Sequence, residues 1–378
     1  MKIGIDIRTL MDDKYSGVPE YTYNLLKEIL KLDYDNQYKF FYNSFSDVKL
    51  PKFENQNIKI IRKKYPNKIF NYGMQKALNY PKIDQLIDID LFFMPHINFI
   101  SLSRKCKSVL TVHDLSFLRY PEFFSVRKNI WHKMINVKKL IKKFNKIVAV
   151  SESTKNDVIQ LCDVDKNKVK VIYSGIGEQY KKLDVETQNF AFIKNKYNLP
   201  NRFIFYLGNL EPRKNICGII KAYNELRNRN INLENIKLII AGGNGWKSKD
   251  IFKTFEKSKY KDDIKFLGYA DASDKVYLYN LASLFVYPSF YEGFGFPPLE
   301  AMACGTPVVS SFSSSLPEVV GNAGLMVDPY NISDIARAME QILIKKDLRY
   351  NLINKGFNQA CKFKWENTAK QYLEYFCG

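Results

Sequence analysis

Short β-branched and aromatic runs that are apolar on both faces recur along the whole chain, separated by stretches with helical periodicity. A strand with two buried faces needs cover on both sides, so such runs are typical of parallel sheets flanked by helices. Nothing repeats at a fixed short period, which excludes a solenoid. The first group of runs comprises KIGIDIR, KFFYNS, IKIIRK, DLFFMPH, SVLTVHD, KIVAVSE and KVKVIYSG, and the second comprises FIFYLGN, IKLIIAGG, IKFLGY, LFVYPS, PVVSS and GLMVDP.

Two such groups in succession predict an α/β chain with two Rossmann-like domains. The chain has 378 residues, too many for one ordinary core and enough for two domains of roughly 150–200 residues. The strand pattern is lost between residues 174 and 200, so we predict a first domain at 1–180 and a second at 181–360. Residues 361–378 include FKWENTAKQYLEYFCG, which predicts a helix that can return to the first domain, with one apolar face formed by Trp365, Ala369, Tyr372 and Phe376.

The formal net charge of +19 favours an anionic partner, which can be a nucleic acid, an anionic membrane or a phosphorylated ligand. The alternative is a composition rich in lysine and asparagine that only keeps the surface soluble. The sequence contains no recognisable nucleic-acid module or aromatic stacking platform, so a basic nucleic-acid-binding protein is the weaker alternative. A nicotinamide-dependent dehydrogenase would need a glycine fingerprint after the first strand, and IDIRTLMDDKYSG does not supply one.

The cysteines and the N-terminus indicate the compartment. The six cysteines have no close spacing, and only three histidines are present, which fits neither a disulfide framework nor a zinc site. Asp6 and Arg8 lie where a signal peptide would need an apolar core, and no apolar run approaches the ~20 residues of a membrane span. We therefore expect a cytoplasmic protein with buried thiols.

The segment YEGFGFPPLEAMACGTPVVSS, which follows LFVYPS, combines two glutamates with turn-forming residues. Gly293 and Gly295 allow the backbone to approach a ligand closely, and Pro298 lies where a helix can begin. A strand, a glycine turn and a helix N-terminus in succession suit an anion such as a diphosphate. Glu292 lies on the turn and Glu300 in the first helical turn, so one can reach the hydroxyls of a sugar and the other a ribose. The alternative is an ordinary helix in which Glu300 only favours the helix dipole.

Two further segments place polar residues after predicted strands. YLGNLEPRKN has Gly208 near the end of its strand and then Arg213 and Lys214 side by side, which suits a diphosphate leaving group. The alternative for this pair is a solvated surface position. SVLTVHDLSF places His113 and Asp114 directly after another strand.

The chain resembles the retaining glycosyltransferases of family four, and most closely the bacterial mannosyltransferases that build surface polysaccharides. The resemblance covers nearly the whole chain in order and rests on YEGFGFPPLEAMACGTPVVSS, LGNLEPRKN, VHDLSF, VAVSESTKNDV and SSLPEVVGNAGLMVDP. It implies the GT-B fold, in which two Rossmann-like domains face each other across a cleft. It also implies transfer of a sugar from a nucleoside diphosphate to a hydroxyl with retention of the anomeric configuration.

The resemblance implies roles for individual residues as well. Glu292 would contact hydroxyls of the donor sugar, and Glu300 would hold the ribose of the nucleotide. Arg213 and Lys214 would bind the diphosphate, and His113 would lie near the reacting sugar. The remaining donor-binding positions implied are Gly17, Asp114, Gly208, Tyr269 at the base, Gly293, Phe294 and Gly295. In the loop DKYSGVPEYTYNLL, Pro19-Glu20 stand where many relatives have Gly-Arg.

We predict no metal and no other cofactor, because the cations can neutralise the leaving group. Asp-x-Asp, a pattern of metal-dependent transferases of a different fold, occurs at Asp88/Asp90 and Asp163/Asp165, and we expect neither pair to bind metal. The resemblance favours GDP-mannose as the donor, with a UDP-sugar such as UDP-glucose as the alternative within the same fold. No well-placed nucleophilic carboxylate is evident in the first half. The resemblance to the family implies a front-face mechanism, in which the departing phosphate accepts the proton of the acceptor, rather than double displacement.

Positive charge is clustered in the first half. Residues 59–82 and 127–146 contain no acidic residue and interleave lysine and arginine with apolar side chains. A basic amphipathic helix is typical of a membrane-surface element, although an ordinary helix with solvated lysines gives the same pattern. In the family, the first domain binds the acceptor, and many members extend lipid-linked oligosaccharides. We therefore expect a polyprenyl-diphosphate-linked glycan as acceptor and a peripheral position on the inner face of the cytoplasmic membrane.

Overall fold

A computed structural model describes residues 1–11, 17–184 and 188–377 of the chain. The chain forms two compact units. Unit 1 comprises Met1–Leu118, Val126–Gly175 and Lys364–Gly378, and unit 2 comprises Arg119–Ser125 and Ile176–Phe363.

Each unit contains one parallel β-sheet. In unit 1 the described sheet has seven strands in the order β3-β2-β1-β4-β5-β6-β7, and in unit 2 it has six in the order β10-β9-β8-β11-β12-β13. Every run predicted as a strand forms one, so the prediction of two parallel sheets is confirmed. The strands are β1 Lys2–Asp6, β2 Gln37–Asn43, β3 Ile58–Lys63, β4 Leu91–Met94, β5 Lys107–Val112, β6 Lys146–Ala149, β7 Val169–Val171, β8 Phe203–Leu207, β9 Lys237–Ala241, β10 Ile264–Gly268, β11 Leu284–Tyr287, β12 Val308–Ser311 and β13 Gly324–Val327.

Burial separates the central strands from the edges. All residues of β4, β8, β11 and β12 are buried, because helices cover both faces of the sheets. Strand β3 at one edge of its sheet keeps Lys59 and Ile60 exposed. A lysine on an edge strand opposes pairing with a further chain.

Helices connect most of the successive strands in both units, although among the described residues none lies between β2 and β3 or between β4 and β5. They are α1 Val18–Leu32, α2 Ile83–Ile87, α3 Ser116–Arg119, α4 Val126–Ile135, α5 Val137–Lys143, α6 Glu152–Cys162, α7 Gln188–Tyr197, α8 Ile216–Arg229, α9 Lys249–Glu256, α10 Lys275–Leu281, α11 Phe296–Ala303, α12 Leu316–Val320, α13 Ile332–Ile344, α14 Lys346–Ala360 and α15 Trp365–Cys377. A π-helix spans Ile69–Leu78.

The basic segment 127–146 differs from the single amphipathic helix that we expected. It forms α4 and α5, which are separated at Asn136 in the left-handed conformation with φ of 52°. The side chain of Asn136 accepts a hydrogen bond from the backbone N–H of Lys139 and so caps α5.

The C-terminal helix α15 is amphipathic as predicted, with Trp365, Ala369, Tyr372 and Phe376 buried. It packs against α1 within unit 1. The hydroxyl oxygen of Tyr372 lies 2.6 Å from the Tyr21 hydroxyl and 2.6 Å from Oγ1 of Thr111. The last helix of the chain is thus joined to the first helix and the central sheet of this unit.

The cysteines are free, and the prediction of buried thiols is only partly correct. Cys106, Cys162 and Cys304 are buried, whereas Cys361 and Cys377 are exposed. Cys361 is the C-cap of α14, and Cys377 lies in the last turn of α15. None of the described helices is long and apolar enough to cross a membrane.

Candidate active site

The order of the strands in unit 2 reverses between β8 and β11, which are hydrogen-bonded neighbours. Connections that leave two adjacent parallel strands in opposite directions open a crevice outside their carboxyl ends, and α/β sheets bind ligands there. The turn after β8 carries Arg213 and Lys214, and the turn after β11 carries Glu292. The topology therefore brings three predicted site residues to one edge of the sheet.

These residues form a hydrogen-bonded group with Glu211, which we call the charge cluster. Lys214 Nζ lies 2.7 and 2.8 Å from the two carboxylate oxygens of Glu292. Arg213 Nη1 donates to Glu292 Oε2 at 3.0 Å and to the carbonyl oxygen of Tyr291 at 2.7 Å. The Nε and Nη2 groups of Arg213 donate to Oε1 of Glu211 at 3.1 and 2.8 Å.

The charge cluster is largely removed from solvent. The exposed side-chain fractions are 13% for Arg213, 11% for Lys214, 8% for Glu292 and 2% for Glu211. Burial by itself would raise the pKa of Glu292, but the charges of Arg213 and Lys214 lower that pKa to about 2. Glu292 is therefore ionised at neutral pH. The solvated surface pair considered as an alternative for Arg213 and Lys214 is wrong.

The backbone of the turn that carries Glu292 is fixed by two serines. The N–H of Glu292 donates to Oγ of Ser314 at 2.7 Å. Ser315 Oγ lies 3.0 Å from the carbonyl oxygen of Glu292 and 2.6 Å from that of Phe294. Gly295 has φ of 121°, and a Cβ there would lie 2.9 Å from a side-chain carbon of Leu316. Only glycine fits this position, directly before α11 begins.

Glu300 lies in the second turn of α11, so the prediction of its first turn is wrong; the helix begins at Phe296, before the two prolines. The Glu300 side chain is buried, and it accepts a hydrogen bond from the hydroxyl of Tyr279 at 2.7 Å. Burial, followed by the charge of Glu300, raises the pKa of Tyr279 well above its usual value. Tyr279 thus remains a donor that holds the carboxylate of Glu300.

Two other predicted donor-binding residues, Gly208 and Tyr269, follow strands of the same sheet, but only Gly208 follows a strand at the reversal. Gly208 directly follows β8, and its N–H donates to the carbonyl oxygen of Ala241 at 3.0 Å. If Gly242 carried a Cβ atom, that atom would lie 1.9 Å from the carbonyl oxygen of Gly208. The backbone segments after β8 and β9 therefore approach each other closely here. Tyr269 follows β10, which is separated from β8 by β9, and its side chain is 44% exposed.

The predicted residues His113, Asp114 and Gly17 belong to unit 1. His113 follows β5, and its Nε2 lies 2.8 Å from the carbonyl oxygen of Pro95. Asp114 Oδ1 accepts hydrogen bonds from the N–H and the hydroxyl of Ser116. Gly17 has φ of 62° and directly precedes α1. Residues 13–16 of the same predicted loop lie outside the described residues.

Several residues that shape this site were missed at the sequence level. Glu211 lies inside the segment YLGNLEPRKN. The sequence does not show whether this acid pairs with Arg213 or with Lys214. Asn215 Nδ2 donates to the carbonyl oxygens of Pro288 and Pro329 and so joins the turns after β11 and β13. Tyr287 accepts a hydrogen bond from Lys214 Nζ at 2.7 Å.

A buried ion pair in unit 1 was also missed. Asp6 is the last residue of β1 and Arg8 follows the strand, and Arg8 Nη2 lies 2.6 Å from Oδ2 of Asp6. His96 follows β4, the neighbour of β1, and burial lowers its pKa to about 4. The alternating polar and apolar residues of IDIRTL would have been the only sign of this pair.

The two Asp-x-Asp pairs have protein partners. Asp88 is ion-paired with Lys2 at 2.6 Å, and Asp90 accepts a hydrogen bond from the backbone N–H of Lys2. Asp163 is ion-paired with Lys142. Among the described residues, no group of three His, Cys, Asp or Glu side chains is arranged to hold a metal ion.

Comparisons with known proteins agree with the resemblance seen in the sequence. The family model described as Glycosyl transferases group 1 matches residues 187–359, and the model described as Glycosyltransferase Family 4 matches residues 15–179. The chain is 33% identical to O-antigen chain mannosyltransferase B of Escherichia coli over 296 residues, which cover 75% of this chain and 72% of that protein. It is 34% identical to the serotype-specific mannosyltransferase WbdA of Escherichia coli over 82% of this chain, but spans only 39% of that longer protein.

Among solved structures, sucrose-phosphate synthase from Thermosynechococcus elongatus is similar with a TM-score of 0.76 and 18% sequence identity. The similarity covers 99% of this chain and 98% of that one. At this level of identity it establishes the fold, which is GT-B, and the relatives above establish the enzyme class. The chain therefore belongs to the glycosyltransferases of group 1 and family 4.

Proposed function

We propose that this glycosyltransferase moves a hexose from a nucleoside diphosphate to a hydroxyl of a glycan acceptor, with retention of configuration, in the synthesis of a surface polysaccharide. The observation that carries the proposal is the charge cluster at the carboxyl ends of β8 and β11. GDP-mannose is the preferred donor, because the relatives at 33–34% identity are named mannosyltransferases.

Arg213 and Lys214 are proposed to stabilise the departing diphosphate. Breaking the glycosidic bond leaves negative charge on the phosphate oxygens, and preorganised cations in a partly desolvated site stabilise such charge most effectively. The guanidinium can bind two phosphate oxygens, and the ammonium supplies a compact charge beside it. The N-terminus of α11 adds backbone N–H groups and the positive end of the helix dipole.

The carboxylates are proposed to position the rest of the donor. Glu292 would accept hydrogen bonds from hydroxyls of the sugar, and Glu300, held by Tyr279, would accept them from the ribose. His113 in unit 1 would contact the reacting sugar. We propose a front-face transfer in which a departing phosphate oxygen takes the proton of the acceptor hydroxyl, with no metal required.

A UDP-sugar such as UDP-glucose remains the alternative donor. The base is proposed to lie near Tyr269, whose exposed ring can stack on either guanine or uracil. The reaction and the roles of the charge cluster are the same for both donors.

The acceptor is proposed to be a polyprenyl-diphosphate-linked glycan at the inner face of the cytoplasmic membrane. The two basic segments of unit 1 support this, because they are neighbours that both carry exposed apolar side chains. Tyr72 of the π-helix and Trp131 of α4 both contact the ring of Phe99. The exposed apolar side chains are Ile60, Ile69 and Leu78 in the first segment and, around the second, Val126, Ile130 and Met134.

The test is the turnover of Arg213→Ala with GDP-mannose and UDP-glucose, in excess EDTA and without it. Loss of one such contact typically costs ~3–4 kcal/mol of transition-state stabilisation, so we expect a rate about 100–1,000-fold lower in a variant that remains folded. EDTA should leave the wild-type rate unchanged. Arg337→Ala is the matched control, since Arg337 is an exposed arginine of the same unit, paired with Asp334 on its own helix. Near-normal turnover of Arg213→Ala would refute the role of the cluster.

A further inference from the structure

The charge cluster contains Arg213 and Lys214 against Glu211 and Glu292, so the formal charges of these four described side chains cancel. All four are largely buried. A diphosphate carries at least two negative charges, and burying them in a neutral site is unfavourable. Binding of a diphosphate to both cations is therefore favoured when one carboxylate moves away from them.

The contacts of Glu211 identify it as the carboxylate that stays. Glu211 directly precedes the 3₁₀ turn Pro212–Lys214, and the N–H of Lys214 donates to its carbonyl oxygen at 3.1 Å. Its side chain is almost fully buried and binds Arg213 along one edge, through Nε and Nη2. A contact between two residues of the same turn fixes the plane of the guanidinium.

The contacts of Glu292 identify it as the carboxylate that leaves. It lies on a different turn, after β11, and bridges the two cations by contacting both Arg213 Nη1 and Lys214 Nζ. A phosphate group that binds both cations would need this same position. The hydroxyls of the donor sugar offer Glu292 new partners once it has moved, whereas a nucleoside diphosphate without a sugar offers none.

We propose that Glu211 is a positioning residue, which holds Arg213 by its Nε and Nη2 edge while the donor diphosphate replaces Glu292 at Nη1 and at Lys214. The inference rests on the proposed function, and it assigns opposite roles to two carboxylates of equal charge. Removing the hydrogen-bond-accepting oxygen of Glu211 should weaken diphosphate binding. Removing the carboxylate of Glu292 should strengthen it.

The experiment is calorimetric titration of GDP, UDP and inorganic pyrophosphate into matched pairs of variants. Glu211→Gln and Glu211→Leu both remove the charge, but only Gln keeps an oxygen that accepts from Nε and Nη2. We expect Glu211→Leu to bind the diphosphate about tenfold more weakly than Glu211→Gln. We expect Glu292→Gln and Glu292→Leu to bind it about tenfold more tightly than the wild type, without a difference between the two.

A double mutant separates positioning from folding. In an Arg213→Ala background there is no guanidinium to hold, so Glu211→Leu and Glu211→Gln should bind the diphosphate equally. A general loss of structure would lower binding in this background too. If Glu211→Leu does not fold, Glu211→Asp keeps the charge but shortens the side chain, and it should bind more weakly than the wild type.

Equal strengthening of binding by all four single variants would overturn the inference, because only charge would then matter. It would also be overturned if Glu292→Leu bound no better than the wild type, or if none of the proteins bound any probe. If pyrophosphate alone binds and the variants differ as expected, the positioning role stands while the proposed nucleotide donor fails.

Discussion

At the scale of single residues, the surroundings of His113 determine its protonation. Its Nε2 lies 2.8 Å from the carbonyl oxygen of Pro95, which can only accept a hydrogen bond, so Nε2 carries the proton. The ring contacts Tyr21 edge-on at 4.6 Å between centroids. Burial lowers the pKa of His113 below its ordinary value of 6.5, more than the Pro95 hydrogen bond raises it. The imidazole is therefore neutral at pH 7, with a lone pair on Nδ1 that can accept from a sugar hydroxyl.

We predict that His113 titrates with a midpoint below pH 6.5 and is protonated at Nε2 when neutral. Nitrogen-15 NMR of the imidazole reports both, and His113→Gln assigns the signal among the three histidines. Because the folded pKa is lowered, the unfolded chain binds this proton more readily, and His113 reduces folding stability as the pH falls below 6.5. A midpoint above 6.5, or a proton on Nδ1 at pH 8, would be inconsistent with the hydrogen bond to Pro95.

The residues found from sequence were those whose type and place in a motif together suggest chemistry. Arg213, Lys214 and Glu292 follow strands within recognisable turns, and the structure brings them together. Glu211 and Asn215 lie in the same quoted segment, but their importance depends on the rotamer of Arg213 and on turns more than 70 residues away in the chain. Periodicity and spacing contain no information about such partners.

At the scale of elements, strands were predictable because a parallel sheet buries both faces of each central strand. Runs such as FIFYL and LFVY are short, apolar throughout and followed by turn residues, a pattern typical of the central strands of a parallel sheet. Helix boundaries were less predictable. The break between α4 and α5 depends on the left-handed conformation of Asn136, within a segment whose basic and apolar pattern continues without interruption. Asparagine tolerates this conformation but does not require it, so the break could not be predicted.

We predict that α4 contributes to binding of anionic membranes. Val126, Ile130 and Met134 recur every four residues and are 76%, 51% and 36% exposed, beside basic residues of the same helix. Ile130→Ser should weaken sedimentation with phosphatidylglycerol vesicles by about tenfold at low salt, since burying an isoleucine contributes ~1.5–3 kcal/mol.

The control is Phe192→Ser, which removes a 63% exposed aromatic side chain from α7 in unit 2. It should leave vesicle binding unchanged. Equal binding by wild type and Ile130→Ser, or an equal loss in both variants, would count against a membrane role for α4.

At the scale of the whole molecule, the described residues form two parallel sheets, each with its own strand reversal, and helix α15 belongs to the first unit. The two sheets followed from the number of apolar runs, and the amphipathic face of α15 followed from its periodicity. The assignment of residues 119–125 to unit 2 could not be predicted from the sequence, because it depends on contacts with distant turns. Phe123 stacks on Phe290, and its carbonyl oxygen accepts a hydrogen bond from Trp246 Nε1 at 2.6 Å.

We propose above all that the strand reversal of unit 2 binds the diphosphate of a sugar nucleotide without metal. The most direct test is calorimetric titration of GDP, UDP, GDP-mannose and UDP-glucose into the full chain in excess EDTA. We predict binding of GDP and GDP-mannose with dissociation constants on the order of micromolar, or about −8 kcal/mol. Tight binding of the uridine compounds instead would keep the site and replace the donor. If none of the four binds, the account of the charge cluster as a diphosphate site is wrong.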